Sequence, residues 1–407
     1  MPSIHLSSSL RTTPPEVTLA RAKARAWSLG ISRVTDITRL DRVGVPVYAS
    51  IRPTAAKGSL CVSAGKGLHP IEAEVGAYME AIELALAEPG ASRVATVRAT
   101  ARDVLDGSER PEAILDLCPK LRVRIALDAA MDCIVADEIA SGGRALVPAE
   151  LVFLPFRPHA RFRSIFGATS NGLSSGNTVR EATVHGLCEL IERDIRSFEA
   201  VRDTSAPVDL DTVSGAARGL VETIRAAGLE LYVRTARNAF GLAYFVAIIH
   251  DPEAFAPHLL NGGFGCHLHR SVAFVRAVAE AAQSRLSFIH GGRDDLDAVH
   301  TRYRGWSARR KRAFVARVVT RASRGERVSM LSVEDHGETA ATVERCEQLV
   351  LRRLAALGMG RAYRVAFCAP EDDLQVVRVI VPRLEMFDEG VARVGARLRD
   401  HARGARS

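Results

Sequence analysis

The chain has 407 residues and no C-x-x-C pair. Its cysteines (Cys61, Cys118, Cys133, Cys188, Cys266, Cys346, Cys368) lie far apart. That spacing speaks against both a structural zinc site and a disulfide framework, and leaves buried free thiols in a reducing compartment as the better reading. Long apolar runs are missing as well. No segment approaches the roughly 20 uninterrupted apolar residues of a membrane helix. Residues 1–25 lack the basic-then-apolar order of a signal peptide. The expectation is a cytoplasmic protein with no membrane contact. There is no Walker loop, because Ser63-Ala-Gly-Lys-Gly67 does not fit G-x-x-x-x-G-K-[ST]. Internal repeats, low-complexity tracts and a dividing linker are absent too. The net charge of +8 comes largely from arginine, concentrated at 302–327 and 393–406. No aromatic-studded recognition motif accompanies these runs, so nucleic-acid binding is disfavoured. Solvated helix faces are the first reading, and docking of an acidic protein or peptide the second. Cys266, His267 and His269 form one isolated cluster beside a glycine turn, a weak signal for metal.

What is present is a 47% hydrophobic composition, enough for a sizeable core. Apolar alternation predicts strands at 45–51, 59–63, 230–235, 242–250 and 376–381. Helical spacing predicts helices at 70–88, 179–200, 272–289 and 340–357. Because strands and helices alternate irregularly, the fold class is a mixed, layered α/β domain. Residues 1–26 read as an N-terminal appendage, 27–390 as the catalytic domain and 391–407 as a basic C-terminal tail.

Three of the helices gather acid or amide groups on one face. In the first, Pro70 suits the first helical position, where its missing N–H would have no partner. Ile71, Val75, Tyr78, Ile82 and Leu86 make its apolar stripe, while Glu72, Gly76, Glu80 and Glu83 share another face. Two carboxylates three apart can reach one hard cation; a solvated acidic face is the plainer alternative. The second helix opens at Thr178 with Glu181 three residues on, the pattern of a capping box. Its Glu181, His185, Glu189, Glu192 and Arg196 crowd one side, and like charges so close repel unless a cation sits among them. This is the best physical hint of a metal site. The third helix aligns Arg276, Glu280 and Gln283, where a surface ion pair between the first two serves equally well.

Taken together these segments resemble the YcaO family. Ser170-Asn-Gly-Leu-Ser-Ser-Gly-Asn-Thr178 leading into Glu189-Leu-Ile-Glu-Arg-Asp194 is similar to the family's most recognisable stretch. Gly65-Lys-Gly67 with Glu80 and Glu83 resembles its S-x-x-x-E-x-x-E-R segment. Glu280-Ala-Ala-Gln283, after Gly262-Gly-Phe-Gly-Cys-His267, resembles its E-x-x-Q segment. The likeness runs from about residue 35 to 382 in matching order. It implies a YcaO-type fold in which acidic faces of several helices form an ATP site without a P-loop. Carried over by position, Glu80, Glu83, Glu189, Glu192 and Glu280 become magnesium ligands. Arg193, Arg276 and Gln283 become nucleotide contacts, with Lys66, Ser170 and Asn171 lining the same pocket. Gly76 and Leu84 depart from the pattern, standing where the family has Ser and Arg.

The resemblance also implies ATP-dependent activation of a peptide-backbone amide, in which the amide oxygen attacks phosphorus after a nucleophile adds to the carbonyl carbon. A neighbouring Cys, Ser or Thr would give an azoline, and external sulfide a thioamide. Azoline-forming relatives often end in a proline-rich tail, whereas no proline follows Pro382 here. The opening around Thr13-Pro-Pro-Glu and Leu40-Asp-Arg-Val-Gly looks like the subgroup paired with a TfuA-type protein. The expectation is thioamidation of a ribosomally made peptide or protein with a TfuA-like partner and a sulfide source. Azoline formation and a non-catalytic nucleotide-binding scaffold are the alternatives, and a homodimer is in keeping with the family.

Overall fold

The computed structural model describes residues 5–106, 110–157, 163–260, 262–387, 390 and 392–404. They form two compact units. The first comprises Met1–Ala55, Leu60–Ile82 and Thr204–Thr342, the second Ala56–Ser59, Glu83–Asp203 and Val343–Ser407. The boundary therefore falls within one helix, Pro70–Leu86, between Ile82 and Glu83.

In the first unit a five-stranded sheet runs in the order Gly262–His267, Ala243–His250, Glu230–Thr235, Ala206–Asp209 and Val328–Ser329. Its pairings are antiparallel except the last. A second antiparallel sheet joins Arg33–Asp36, Val47–Ile51 and Val62–Lys66. Helices Gly215–Ala226 and Arg270–His290 cover the first sheet, and Arg270–His290 also packs on Val62–Lys66. One continuous apolar core results, in which Phe245 meets Phe274 edge-on at 5.5 Å. Pro15–Ala26 buries Thr18, Ala22 and Ala26.

The second unit is built on an antiparallel sheet in the order Val97–Thr100, Ala130–Glu138, Tyr363–Ala366, Gln375–Ile380 and Leu173–Gly176, with Arg144–Pro148 also on Ala130–Glu138. Helix Val179–Val201 lies on Gln375–Ile380 and Leu173–Gly176, and Val343–Ala356 lies on that helix. Gln375–Ile380 is buried along its whole length.

Three sequence expectations need correction. The strand expected at 59–63 is Val62–Lys66, paired from Ile51↔Val62 to Val47↔Lys66. A turn at 56–59, with Gly58 at φ +100°, delays the strand and moves Lys66 onto its end. The expected capping box is incomplete. Thr178 Oγ1 accepts from the Glu181 N–H at 3.1 Å, but Glu181 reaches back to the Asn177 N–H at 3.2 Å, one residue before the cap. Nor is the 393–406 run simply a solvated face. Arg393 is buried and donates to the carbonyls of Cys118 and Leu117 at 2.8 and 2.9 Å, and Arg397 pairs with buried Asp194 at 2.6 Å. Arginine's five fixed donors suit it to such interior carbonyl-rich positions.

Candidate functional site

The eleven expected site residues divide between the units. Lys66, Glu80, Arg276, Glu280 and Gln283 belong to the first; Glu83, Ser170, Asn171, Glu189, Glu192 and Arg193 belong to the second.

Close backbone approach builds the first group. A Cβ on Gly65 would stand 2.0 Å from the Ala77 nitrogen and 2.2 Å from the Ala73 carbonyl. The strand thus lies directly on helix Pro70–Leu86, and only glycine fits there. The same contact explains the Gly76 departure: its own Cβ would come within 3.2 Å of Gly65 Cα. Gly263 and Gly265 repeat the device against helix Arg270–His290, with clashes of 2.1 Å at Ala277 O and 2.0 Å at Ala273 O. Here the glycine-rich stretch is a packing surface that sets where Arg276, Glu280 and Gln283 stand.

Lys66, at the end of its strand, then donates to Glu280 Oε2 at 2.8 Å and Gln283 Oε1 at 3.0 Å. The Gln283 amide donates in turn to the Ala64 carbonyl. All three partners of this network are half-buried, so the charges are sheltered but reachable. Glu80 takes part in a different balance. Burial alone would lower the Arg293 pKa, yet its hydrogen bonds to Asp295, and the charges of Asp295 and Glu80, raise it. Arg276 is half-buried on the third helix, and its charge adds to the burial and the neighbouring His269 that hold the His267 pKa well below the usual imidazole value. His267 stays neutral and accepts from the His269 N–H at 3.0 Å. The Cys266–His269 stretch is thereby accounted for as core.

In the second group, Glu192 is buried, Glu189 and Arg193 are half-buried on the same helix, and Glu83 is half-buried on the first. Gly186 lets the helix settle onto the sheet, since a Cβ there would meet Ser174 Oγ at 2.7 Å and Val379 Cγ2 at 2.9 Å. Ser170 is exposed and Asn171 half-buried, just before Gly172 at φ +78°. The Asn171 Oδ1 is buried without a hydrogen-bond partner, and Asn171 lines a small cavity of about 40 Å³ with Thr169, Glu150 and Arg393. Leu84, the second departure, is a buried core residue, a position that could not take an arginine without burying its charge.

The sequence reading missed Arg378. It is fully buried in the strand Gln375–Ile380. Its Nε donates to the Val152 carbonyl at 3.0 Å, and its Nη1 to the carbonyls of Thr169 and Asn171, both at 2.9 Å. Burial pulls its pKa down to about 10, with Arg393 adding to the fall, while the carboxylates of Glu189 and Glu83 oppose it. It is therefore a fixed cation close to two of the expected ligands. An arginine inside an apolar alternation is the only sequence signal that could have found it.

Among the described residues, no group of three or more His, Cys, Asp and Glu stands close enough to hold a metal by itself. Magnesium does not require one. It keeps several waters and is held through one or two carboxylates together with substrate phosphates. The pairs Glu80/Glu83 and Glu189/Glu192, each three apart on a helix, are oxygen donors of that kind, so the residues present fit the ion. Nor, among the described residues, is any helix long and apolar enough to cross a membrane.

Comparison with known proteins gives the family. Residues 64–385 match the family model of the YcaO cyclodehydratase, ATP- and Mg2+-binding. An uncharacterised protein of Methanothermobacter thermautotrophicus is 34% identical over 389 residues, 95% of this chain and 97% of that one. A Rhizobium leguminosarum bv. trifolii protein, described as lying in the tfuA 3' region, is 32% identical over 98% of this chain and 94% of its own length. Among solved structures, YcaO from Methanopyrus kandleri bound with AMPPCP and Mg2+ superposes with a TM-score of 0.73 at 24% identity, covering 97% of this chain and 98% of that one. A heterocyclase in complex with substrate and cofactor gives a TM-score of 0.74 at 19% identity, over 95% of this chain and 54% of its own. The mixed α/β fold is thus the YcaO fold, and the chain belongs to the YcaO cyclodehydratase family, whose cofactors are ATP and Mg2+.

Proposed function

We propose that the protein activates a backbone amide of a ribosomally made peptide or protein by ATP-dependent phosphorylation, and that the product is a thioamide formed with a TfuA-like partner. The family match over residues 64–385 carries the first part. The Rhizobium relative in the tfuA 3' region supports the second.

In this reading Glu80, Glu83, Glu189, Glu192 and Glu280 hold magnesium, and Arg193, Arg276 and Gln283 contact the nucleotide, with Lys66, Ser170 and Asn171 beside them. Bound MgATP supplies an electrophilic terminal phosphorus with its charge neutralised. The chain's own work is positioning. Lys66 is held by Glu280 and Gln283 and can exchange these acceptors for a phosphate oxygen. Asn171 brings a buried amide oxygen without a hydrogen-bond partner, suited to accept from a ribose hydroxyl or a metal-bound water. A nucleophile would add to the amide carbon, the amide oxygen would take the terminal phosphoryl group as ADP leaves, and phosphate would then leave with that oxygen as the adduct gives up a proton.

Azoline formation is the second reading, favoured by the family's description as cyclodehydratases and by the fold shared with a heterocyclase. Intact mass of the modified peptide separates the two. Exchange of oxygen for sulfur adds about 16 Da, whereas ring closure removes about 18 Da, by counting the atoms of the changed group. A gain after incubation with ATP, sulfide and a TfuA-like protein is expected; a loss would establish the azoline branch. A chain with no magnesium-dependent ATP turnover, alone or with that partner, would instead be a nucleotide-responsive scaffold.

A further inference from the structure

We propose that Arg378 is a positioning residue of the nucleotide site: it fixes the loop that carries Ser170 and Asn171, and it stands as a permanent cation near Glu83 and Glu189 that keeps their hold on magnesium weak until nucleotide phosphates arrive. The proposal rests on the assignment of those two carboxylates as magnesium ligands.

Burying a guanidinium is costly, and apolar residues of similar volume commonly serve stability as well or better. The strand around Arg378 is apolar at Val376, Val377, Val379 and Ile380, all buried, so an aliphatic side chain would continue the pattern. Fold stability is thus a poor reason for an arginine here. What Arg378 does instead is specific. Its Nη1 bridges the carbonyls of Thr169 and Asn171, which flank Ser170. The loop is closed by the Leu173 N–H to the Ser170 carbonyl at 2.8 Å and the Val379 N–H to the Gly172 carbonyl at 2.8 Å. The guanidinium therefore sets the height and direction of the segment that presents Ser170 and Asn171. Its Nη2 is buried and has no hydrogen-bond partner, so the carbonyls alone do not balance the charge. The carboxylates of Glu189 and Glu83 offset part of the cost of burying it, against the opposing charge of Arg393.

A fixed cation in that place acts with opposite sign on the two ligands. It repels a free divalent ion from the carboxylates and attracts a polyphosphate. Magnesium alone is held weakly, and the nucleotide brings the anionic oxygens that restore the balance. Metal and nucleotide are thereby coupled through one residue that touches neither.

The test uses the full chain, with Mn2+ as the probe for magnesium, and reads free Mn2+ by paramagnetic resonance without nucleotide. Arg378→Met removes the charge and the fork; Arg378→Lys keeps the charge and loses the fork. The expected result is Mn2+ bound about 5- to 10-fold more tightly by the Met variant and about as weakly as wild type by the Lys variant. Both variants should raise the KM for ATP about 10-fold with a smaller change in kcat, because the loop is no longer held. Unchanged or weaker Mn2+ binding in the Met variant overturns the proposal, as does full rescue of KM by lysine. If Met is not folded by its melting transition, Arg378→Gln carries the same readout, and failure of all three to fold shows a purely structural role. The underlying assignment fails in a different way: Glu189→Gln would then leave Mn2+ binding in the presence of ATP unchanged.

Discussion

The two units handle the charge of their site residues differently. In the first, Glu280 is balanced by Lys66, a flexible, half-buried side chain at a strand end. In the second, the carboxylates of Glu83 and Glu189 lie near Arg378, a side chain with no exposure, anchored to three carbonyls. A lysine can turn from carboxylate to phosphate at the cost of a rotamer change. A buried arginine cannot move, and acts only through its field and its hold on the backbone. The first group of candidate residues is thus adjustable and the second set in advance, a division suited to the proposed reaction, whose catalysis would be mostly placement and charge neutralisation.

The largest effect is expected where that comparison depends on packing. Gly263→Ala would push a methyl against the Ala277 carbonyl at 2.1 Å and the Ala281 nitrogen at 2.2 Å, both backbone. It should cost about 3 kcal/mol or more, read as a lowered denaturation midpoint. Next comes Glu192→Gln, which keeps the shape of a buried side chain and removes its charge. ATP turnover should fall about 100-fold, close to 3 kcal/mol in barrier, with little change in melting temperature. Lys66→Met tests the adjustable group: the KM for ATP should rise about 10-fold, while kcat changes less. The smallest effect belongs to a pair outside both groups. Arg218 and Glu222 bridge at 2.8 Å on an exposed helix face. Arg218→Ala should shift stability by no more than about 0.5 kcal/mol and leave turnover alone.

Much of the fold was legible because amphipathic stripes are strong signals. The helices at 70, 179 and 270 begin within two residues of where the stripe and the capping residues place them. The strand of Lys66 was misplaced because a turn residue, Gly58, and the register with Val47–Ile51 decide where pairing starts, and neither follows from local alternation. The glycines of Gly262-Gly-Phe-Gly were visible as a motif, but their reason, a helix lying against the strand, needs three dimensions. Candidate carboxylates could be picked out because they recur on one face of a helical pattern. Arg378 left only a faint signal, since a charged residue in an apolar alternation ordinarily reads as facing solvent. The arginines at 393 and 397 were misjudged for the same reason: both find interior partners that are distant in sequence, Cys118 and Asp194.

The central claim is that the acidic helix faces hold magnesium and ATP together. Calorimetric titration with a non-hydrolysable ATP analogue tests it directly, with and without Mg2+, on wild type and Glu192→Gln. The account predicts binding that requires Mg2+ and weakens at least about 10-fold in the variant. Binding that is equally tight without Mg2+, or unchanged by the substitution, would contradict it.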